Sequence, residues 1–265
     1  MFWLFTLICI LLYLVATGLI SSRLFHQDGP KSQTSRYVAL VALMAHAFIL
    51  HHDIIIQGSG QNLSITNVAS IVAWLMALSM TIISFGMTHV FLMPVVYGFA
   101  AIVIAMNALI PATHLMHIEL QPGLLIHISL ALFAYGGLMI ALLYALQFSY
   151  INYRLKHKQA SLLHSSLPSL MSVEKTLFKI LWIGTVLLSM SLLSGFVFLE
   201  DMFAQKQAHK TILSIIAWML YVGILTAHHK FAWRGRGVVI ATIVGSVLLT
   251  LAYFGSRIVK EIILG

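Results

Sequence analysis

Long apolar runs, separated by short polar segments, dominate the pattern of hydrophobic and polar positions along this chain. Each run is continuous, and most have about 20 residues, the length that an α-helix needs to cross a bilayer. Continuous runs exclude a transmembrane β-barrel, whose strands alternate apolar and polar residues. The pattern therefore predicts an all-α polytopic membrane protein.

Eight such runs predict eight transmembrane helices, within a single integral membrane domain that covers residues 1–265. Ser64 is placed to cap the third helix, and Pro94 is expected to kink the inner end of the fourth. The first run has no basic region and no cleavage pattern, so we expect a retained helix rather than a signal peptide. The predicted spans are Phe2–Ser21, Tyr37–Ile56, Ile65–Phe85, Val90–Ile110, Leu124–Ile151, Leu177–Leu199, Thr211–His228 and Val238–Ile258.

Basic residues are distributed unevenly between the two sides that these spans define, and cytoplasmic loops carry the excess in membrane proteins. Eleven basic residues belong to one side: Arg23, Lys31, Arg36, Arg154, Lys156, Lys158, Lys175, Lys179, Lys230, Arg234 and Arg236. The other side has four: Lys206, Lys210, Arg257 and Lys260. We therefore predict that the first side is cytoplasmic and that both termini are extracytoplasmic.

Composition narrows the chemistry that such a protein can perform. The chain is 60% hydrophobic and 8% charged, as expected of a protein whose main partner is the lipid bilayer. Its net charge of +8 comes mostly from residues that flank the spans, so no nucleic-acid partner is predicted. Cys9 is the single cysteine, which excludes disulfides, cysteine-based metal cages and a CxxCH haem attachment site.

The chain has only seven carboxylates, of which Asp53, Glu119, Glu200 and Asp201 lie on the predicted outer side. None pairs with a second carboxylate inside a span, and none is placed to orient a histidine toward a serine nucleophile. We therefore predict a binding protein rather than an enzyme.

The 13 histidines are the unusual feature of the composition. An ionisable residue inside a span is costly and usually functional, and neutral imidazole is a good ligand for haem iron. His127 lies near the start of the fifth span, His46 near the middle of the second, and His228 at the inner end of the seventh. Secondary candidates near the outer face are His51, His52 and His114.

Two interpretations of these histidines stay open at this point. A histidine in a span can ligate haem iron, or it can hydrogen-bond a neighbouring helix in a purely structural role. Two imidazoles can share one iron only at a common depth, which makes His46 the best intramembrane partner for His228 if the helices tilt. His127 has several possible partners near the outer face.

Three segments resemble cytochrome c assembly proteins of the CcsA/CcmC/CcmF type. PGLLIHISLALFAYGGL is similar to the family helix that carries an outer-face haem histidine. LSIIAWMLYVGILTAHHKFAWRG is similar to a later helix, in which a tryptophan is followed by a histidine and a basic turn. TLAYFGSRIV is similar to the last helix. The length, the eight-span layout and the QNLS and WRGR features fit the YpjD/HemX-like branch best.

The resemblance implies a protein of the inner (cytoplasmic) membrane that holds haem b non-covalently. The expected role is cytochrome assembly, haem delivery or regulation of the haem pathway, alongside another membrane protein of that pathway. His127 would match the outer-face haem ligand and His228 an intramembrane one. The family's WWD segment is absent, because EDMFAQKQAHK stands in its place. The second outer-face histidine, expected near the C-terminal helix, is also missing, and Arg257 lies nearby instead. The prediction is therefore haem binding rather than ligation of haem to cytochrome.

Two other classes of function are compatible with the sequence. The outer histidines, with Asp53 or Glu119, could serve a metal or proton-coupled transporter, since imidazole and carboxylate suit Zn²⁺ or Mn²⁺. The chain could also be a non-catalytic membrane scaffold that has lost haem.

Overall fold

The computed structural model describes residues 2–22, 32–55, 62–86, 91–110, 122–157, 168–198 and 208–255, and within these ranges it contains helices with short turns and no strand. The helices are α1 Phe2–Ser21, α2 Ser32–Ile55, α3 Ile65–Gly86, α4 Met93–Leu109, α5 Pro122–Lys156, α6 Leu170–Phe198, α7 Ala208–Phe231 and α8 Arg236–Thr250. A π-helical turn, Leu251–Gly255, continues α8. The prediction of an all-α fold is confirmed for these residues.

Seven of the described helices, counting α8 with its π-turn as one, are long and apolar enough to cross a bilayer. The remaining helix, α4, is apolar but has only 17 residues. The chain is therefore a multi-span helical membrane protein, and the eighth span stays a prediction.

Several helix ends match the sequence-based bounds because local signals fix them. The Ser64 hydroxyl accepts a hydrogen bond from the backbone N–H of Asn67 at 3.4 Å, so the predicted N-cap of α3 is confirmed. Other helices run past their predicted spans, since α6 begins at Leu170 and α5 continues to Lys156. Hydropathy marks only the part of a helix that lies in lipid. The same helix can continue into water through turns that carry basic side chains.

The expected kink at Pro94 is wrong. Pro94 lies in the first turn of α4, which begins at Met93. A proline there removes no helical hydrogen bond, because the first N–H groups of a helix have no partner within it. Pro94 therefore starts the helix and leaves it unbent.

The chain divides into two compact units, each described here by itself. The first comprises Met1–Glu119 and Gln159–Pro168, and in it α1 packs against α2 and α4 while α3 packs against the same two helices. The second comprises Leu120–Lys158 and Ser169–Gly265, where α5 packs along α6 and α8, and α7 packs on α6 and α8. The single-domain assignment stays a prediction.

Helices α5 and α6 of the second unit approach closely because glycine lies at their contact. A Cβ atom at Gly184 would lie 2.8 Å from side-chain atoms of Leu138, which is itself fully buried. Small residues at such contacts are how membrane helices gain van der Waals packing. This contact lies in the middle of α5, three turns beyond its histidine, and it packs the two helices closely together.

Candidate functional site

His127 lies in the second turn of α5 and is bonded to the neighbouring helix. Its Nδ1 atom is 2.9 Å from the carbonyl oxygen of Ser191 and 3.3 Å from the hydroxyl of Ser194, both on α6. A carbonyl oxygen only accepts, so Nδ1 carries the ring proton and Nε2 keeps its lone pair. Metal-ligating histidines use this arrangement, with one nitrogen on the metal and the other donating to a carbonyl or carboxylate.

The π-helical turn at the end of α8 packs beside this histidine. The hydroxyl of Tyr253 donates to the carbonyl oxygen of Ala131, one turn along α5 from His127, at 3.2 Å. The Tyr253 ring packs against Tyr135, with ring centroids 5.1 Å apart, and the Tyr135 hydroxyl lies 3.1 Å from Thr250. Sequence analysis did not select Tyr253, although it stands inside the TLAYFGSRIV segment that carries the family resemblance.

The His228 ring, like that of His127, donates from Nδ1 to a backbone carbonyl, but it lies at the end of α7 and stacks on an aromatic ring. Its Nδ1 atom lies 3.1 Å from the carbonyl oxygen of Trp233 and therefore donates, which leaves the Nε2 lone pair available. The imidazole stacks on Phe178 of α6, with ring centroids 3.5 Å apart and planes 15° apart. The ring is half-buried in the last turn of α7.

The turn after α7 explains why the sequence WRGR is needed there. Ala232 and Gly235 have φ angles of 51° and 81°, in the left-handed region, so the chain reverses within a few residues. The reversal brings the Trp233 carbonyl to His228. A Cβ atom at Gly237 would lie 2.6 Å from the Trp233 indole, so any other residue there requires that ring to move.

His46 has a different environment, because both of its ring nitrogens have partners. Its Nδ1 lies 3.2 Å from the hydroxyl of Tyr13 on α1, and its Nε2 lies 2.9 Å from the hydroxyl of Ser70 on α3. The side chain is fully buried. His46 therefore joins three helices of the first unit, and it could ligate iron only after releasing one hydroxyl.

The predicted ligands are distributed over both units. His46 belongs to the first unit, whereas His127 and His228 belong to the second. The pairing of His46 with His228 stays a prediction.

Among the secondary candidates, His51 is exposed at the end of α2, and His52 donates to Asp53 at 3.2 Å. His114 lies outside the described residues. In the described part of the chain, no three histidine, cysteine or carboxylate side chains converge to hold a metal ion.

Comparison with known proteins identifies what this chain is similar to. The family model described as cytochrome C assembly protein matches residues 34–264. Inner membrane protein YpjD of Escherichia coli strain K12 is 41% identical over 260 residues, which cover 98% of each chain, and the same protein of Escherichia coli O157:H7 matches equally. An uncharacterized 28.8 kDa protein of Azospirillum brasilense is 30% identical over 54% of this chain and 55% of its own. No solved structure matches significantly.

Proposed function

Because the chain belongs to the cytochrome c assembly protein family, we propose that it binds haem b non-covalently through histidines and serves cytochrome assembly, haem delivery or control of the haem pathway. The protein is a multi-pass protein of the inner membrane, as its seven long apolar helices and its similarity to an inner membrane protein indicate. We further propose eight spans with both termini on the extracytoplasmic side, which the distribution of basic residues favours.

The observation that carries the proposal is the 2.9 Å contact between Nδ1 of His127 and the Ser191 carbonyl oxygen, which assigns the ring proton to Nδ1. Its Nδ1–H is committed to the Ser191 carbonyl, so the neutral ring offers Nε2 as a ligand without any rearrangement. A purely structural histidine would also bond its neighbouring helix, but that role needs only one nitrogen. The donor chemistry therefore fits a haem iron at Nε2.

His228 is the second residue whose chemistry fits haem. The Trp233 carbonyl orients its ring, and Phe178 supports one face of the imidazole. We propose His46 as the partner of His228 because the two residues could reach a common depth in the membrane if the helices tilt. Ligation of iron by His46 would break its hydrogen bond to either Tyr13 or Ser70.

Haem, when bound, supplies a redox-active iron whose properties depend on its axial ligands and on their hydrogen bonds. The contribution of this chain is to bind and orient. Carbonyl groups fix the tautomers of His127 and His228, and two hydroxyl groups hold the ring of His46. No substrate turnover is required of these residues, so we propose a binding role rather than an enzymatic one.

An absorption spectrum of the protein, purified in detergent from cells supplied with haem precursor, tests the proposal. We expect a Soret band that survives washing and weakens in the His127→Ala variant. A colourless wild-type protein that retains zinc or manganese would support a transporter instead. A colourless protein without metal would support a scaffold, and either result would overturn haem binding.

A further inference from the structure

A cavity of about 240 Å³ lies at one end of the first unit, where α1 and α3 begin and α2 and α4 end. Its walls combine aromatic, carboxamide and carboxylate side chains. The residues that matter here are Phe2, Trp3, Asp53, Asn62, Asn67 and Asn107. The cavity involves neither His127 nor His228, so its role is independent of the proposed haem sites.

Asp53 gives this cavity its negative charge. One carboxylate oxygen accepts from His52 Nδ1 at 3.2 Å and the other from the Asn107 amide at 3.1 Å, which fixes the group in place. The side chain is only 21% exposed. No lysine or arginine stands among the described residues that line the cavity.

The other polar groups of the wall add acceptors. Asn62 and Asn67 are both almost fully buried, and the Asn67 amide donates to the Asn62 backbone carbonyl at 2.9 Å. The Asn107 amide donates to Asp53, as described above. Asn67 and Asn107 each use one amide N–H within the protein, and their carboxamide oxygens, with two lone pairs each, add hydrogen-bond acceptors to the wall.

Aromatic rings complete the wall. Phe2 stacks on His52, with ring centroids 3.8 Å apart, and the adjacent Trp3 is 61% exposed. The faces of such rings attract cations, tryptophan most strongly. A fixed carboxylate, acceptor oxygens and aromatic faces together are complementary to a positively charged group.

We propose that this cavity binds an organic ammonium group. A bare divalent ion fits less well, because calcium and magnesium need six or more oxygen ligands and the described part of the chain brings no three metal-binding side chains together. The volume is also below the roughly 300–1,000 Å³ of pockets for drug-sized ligands. It suits a small group such as the ethanolamine moiety.

The position of the cavity admits two sources for this ammonium group. The ends of membrane helices lie near the lipid–water interface, where tryptophan is enriched. The group can therefore be the headgroup of a phosphatidylethanolamine lipid, or a small amine from the aqueous phase.

Native mass spectrometry of the intact protein distinguishes these sources. The probes are phosphatidylethanolamine, phosphatidylglycerol with the same acyl chains, and free ethanolamine. We expect Asp53→Asn, which preserves shape and removes the charge, to weaken phosphatidylethanolamine binding about tenfold, equivalent to 1.4 kcal/mol. Phosphatidylglycerol binding should not change. Glu174→Gln, which removes a carboxylate from the second unit, is the matched control and should bind as the wild type does.

A second variant keeps the test decisive if Asp53→Asn fails to fold. Trp3→Leu removes an exposed aromatic face without disturbing buried packing, and it should weaken ammonium binding selectively. An Asp53-dependent or Trp3-dependent loss for ethanolamine alone would assign the site to a soluble amine. If neither variant changes the binding of either amine, or if both lipids lose affinity equally, the ammonium site is disproved.

Discussion

The Nδ1 atom of His127 donates to the carbonyl oxygen of Ser191 across the contact between α5 and α6, at 2.9 Å. This one bond determines which ring nitrogen can bind iron. It also links the orientation of the imidazole to the packing of two helices, since Ser191 is itself almost fully buried. A change that shifts the contact between α5 and α6 should therefore also change the orientation of the imidazole.

Substitution of His127 separates ligation from a structural role. His127→Gln keeps an amide that can donate to Ser191, but an amide binds iron poorly. Under the haem proposal, both His127→Gln and His127→Ala lose haem, while the Gln variant stays folded. Absorbance measures the haem content per protein, and the size-exclusion profile shows whether each variant is folded.

The control for this experiment is His209→Gln, at an exposed position near the start of α7. It should retain wild-type haem content. A His127→Gln protein with full haem content would instead show that His127 only joins two helices.

His46 and His228 are predicted to hold an inner haem. Two imidazole ligands should give a six-coordinate, low-spin iron, and His46→Ala or His228→Ala should each abolish that spectral signature. His229→Ala, at the exposed neighbour of His228, is the matched control. Two single variants that are folded and keep the wild-type spectrum would exclude an inner site.

Gly184→Ala should destabilise the contact between α5 and α6. The added methyl would lie 2.8 Å from the buried Leu138 side chain, so that side chain or the helix must move, at a cost of about 1–3 kcal/mol. Gly98→Ala, inside α4, meets nothing within 4 Å and should be neutral or slightly stabilising. Thermal unfolding in detergent compares the two variants, and equal melting temperatures would contradict the close approach.

The predicted topology places Lys156 in the cytoplasm and His209 outside. Cys9 is fully buried, so single cysteines introduced at positions 156 and 209 can be labelled against a low background. Both positions are exposed in the structure. A membrane-impermeant maleimide added to cells with a permeabilised outer membrane should label position 209 and spare position 156. The reverse pattern would show that the protein has the opposite orientation in the membrane.

Hydropathy and capping predict much of this fold. The bounds of α1 agree with the apolar run at both ends, and α3 begins where Ser64 can cap it. Both features depend only on neighbouring residues. The start of α6 was missed, because its first turns are helical without being apolar enough to mark a span.

The partners of the histidines could not be predicted in the same way. Tyr13, Ser70 and Ser191 are separated from their histidines by 24 to 64 residues, so tertiary packing selects them. The cavity beside Asp53 was missed for the same reason, since the carboxylate meets Asn107 only in the folded unit. The depth of a histidine can be estimated from sequence, but its hydrogen-bonded state cannot.

The π-helical turn Leu251–Gly255 has a consequence for how this chain tolerates changes in length. A π-turn closes its hydrogen bonds over five residues instead of four, so it holds one residue more than an α-helical turn. Removing a single residue from it should restore a regular α-helix without breaking the backbone ladder. Such a deletion would leave the helix on either side of the turn facing nearly the same way, because the turn itself takes up the extra residue, but it would move Tyr253 within the turn and separate its hydroxyl from Ala131. A natural deletion here should therefore keep the helix regular but remove the contact between Tyr253 and Ala131. A relative that lacks one residue within this turn should also lack that contact.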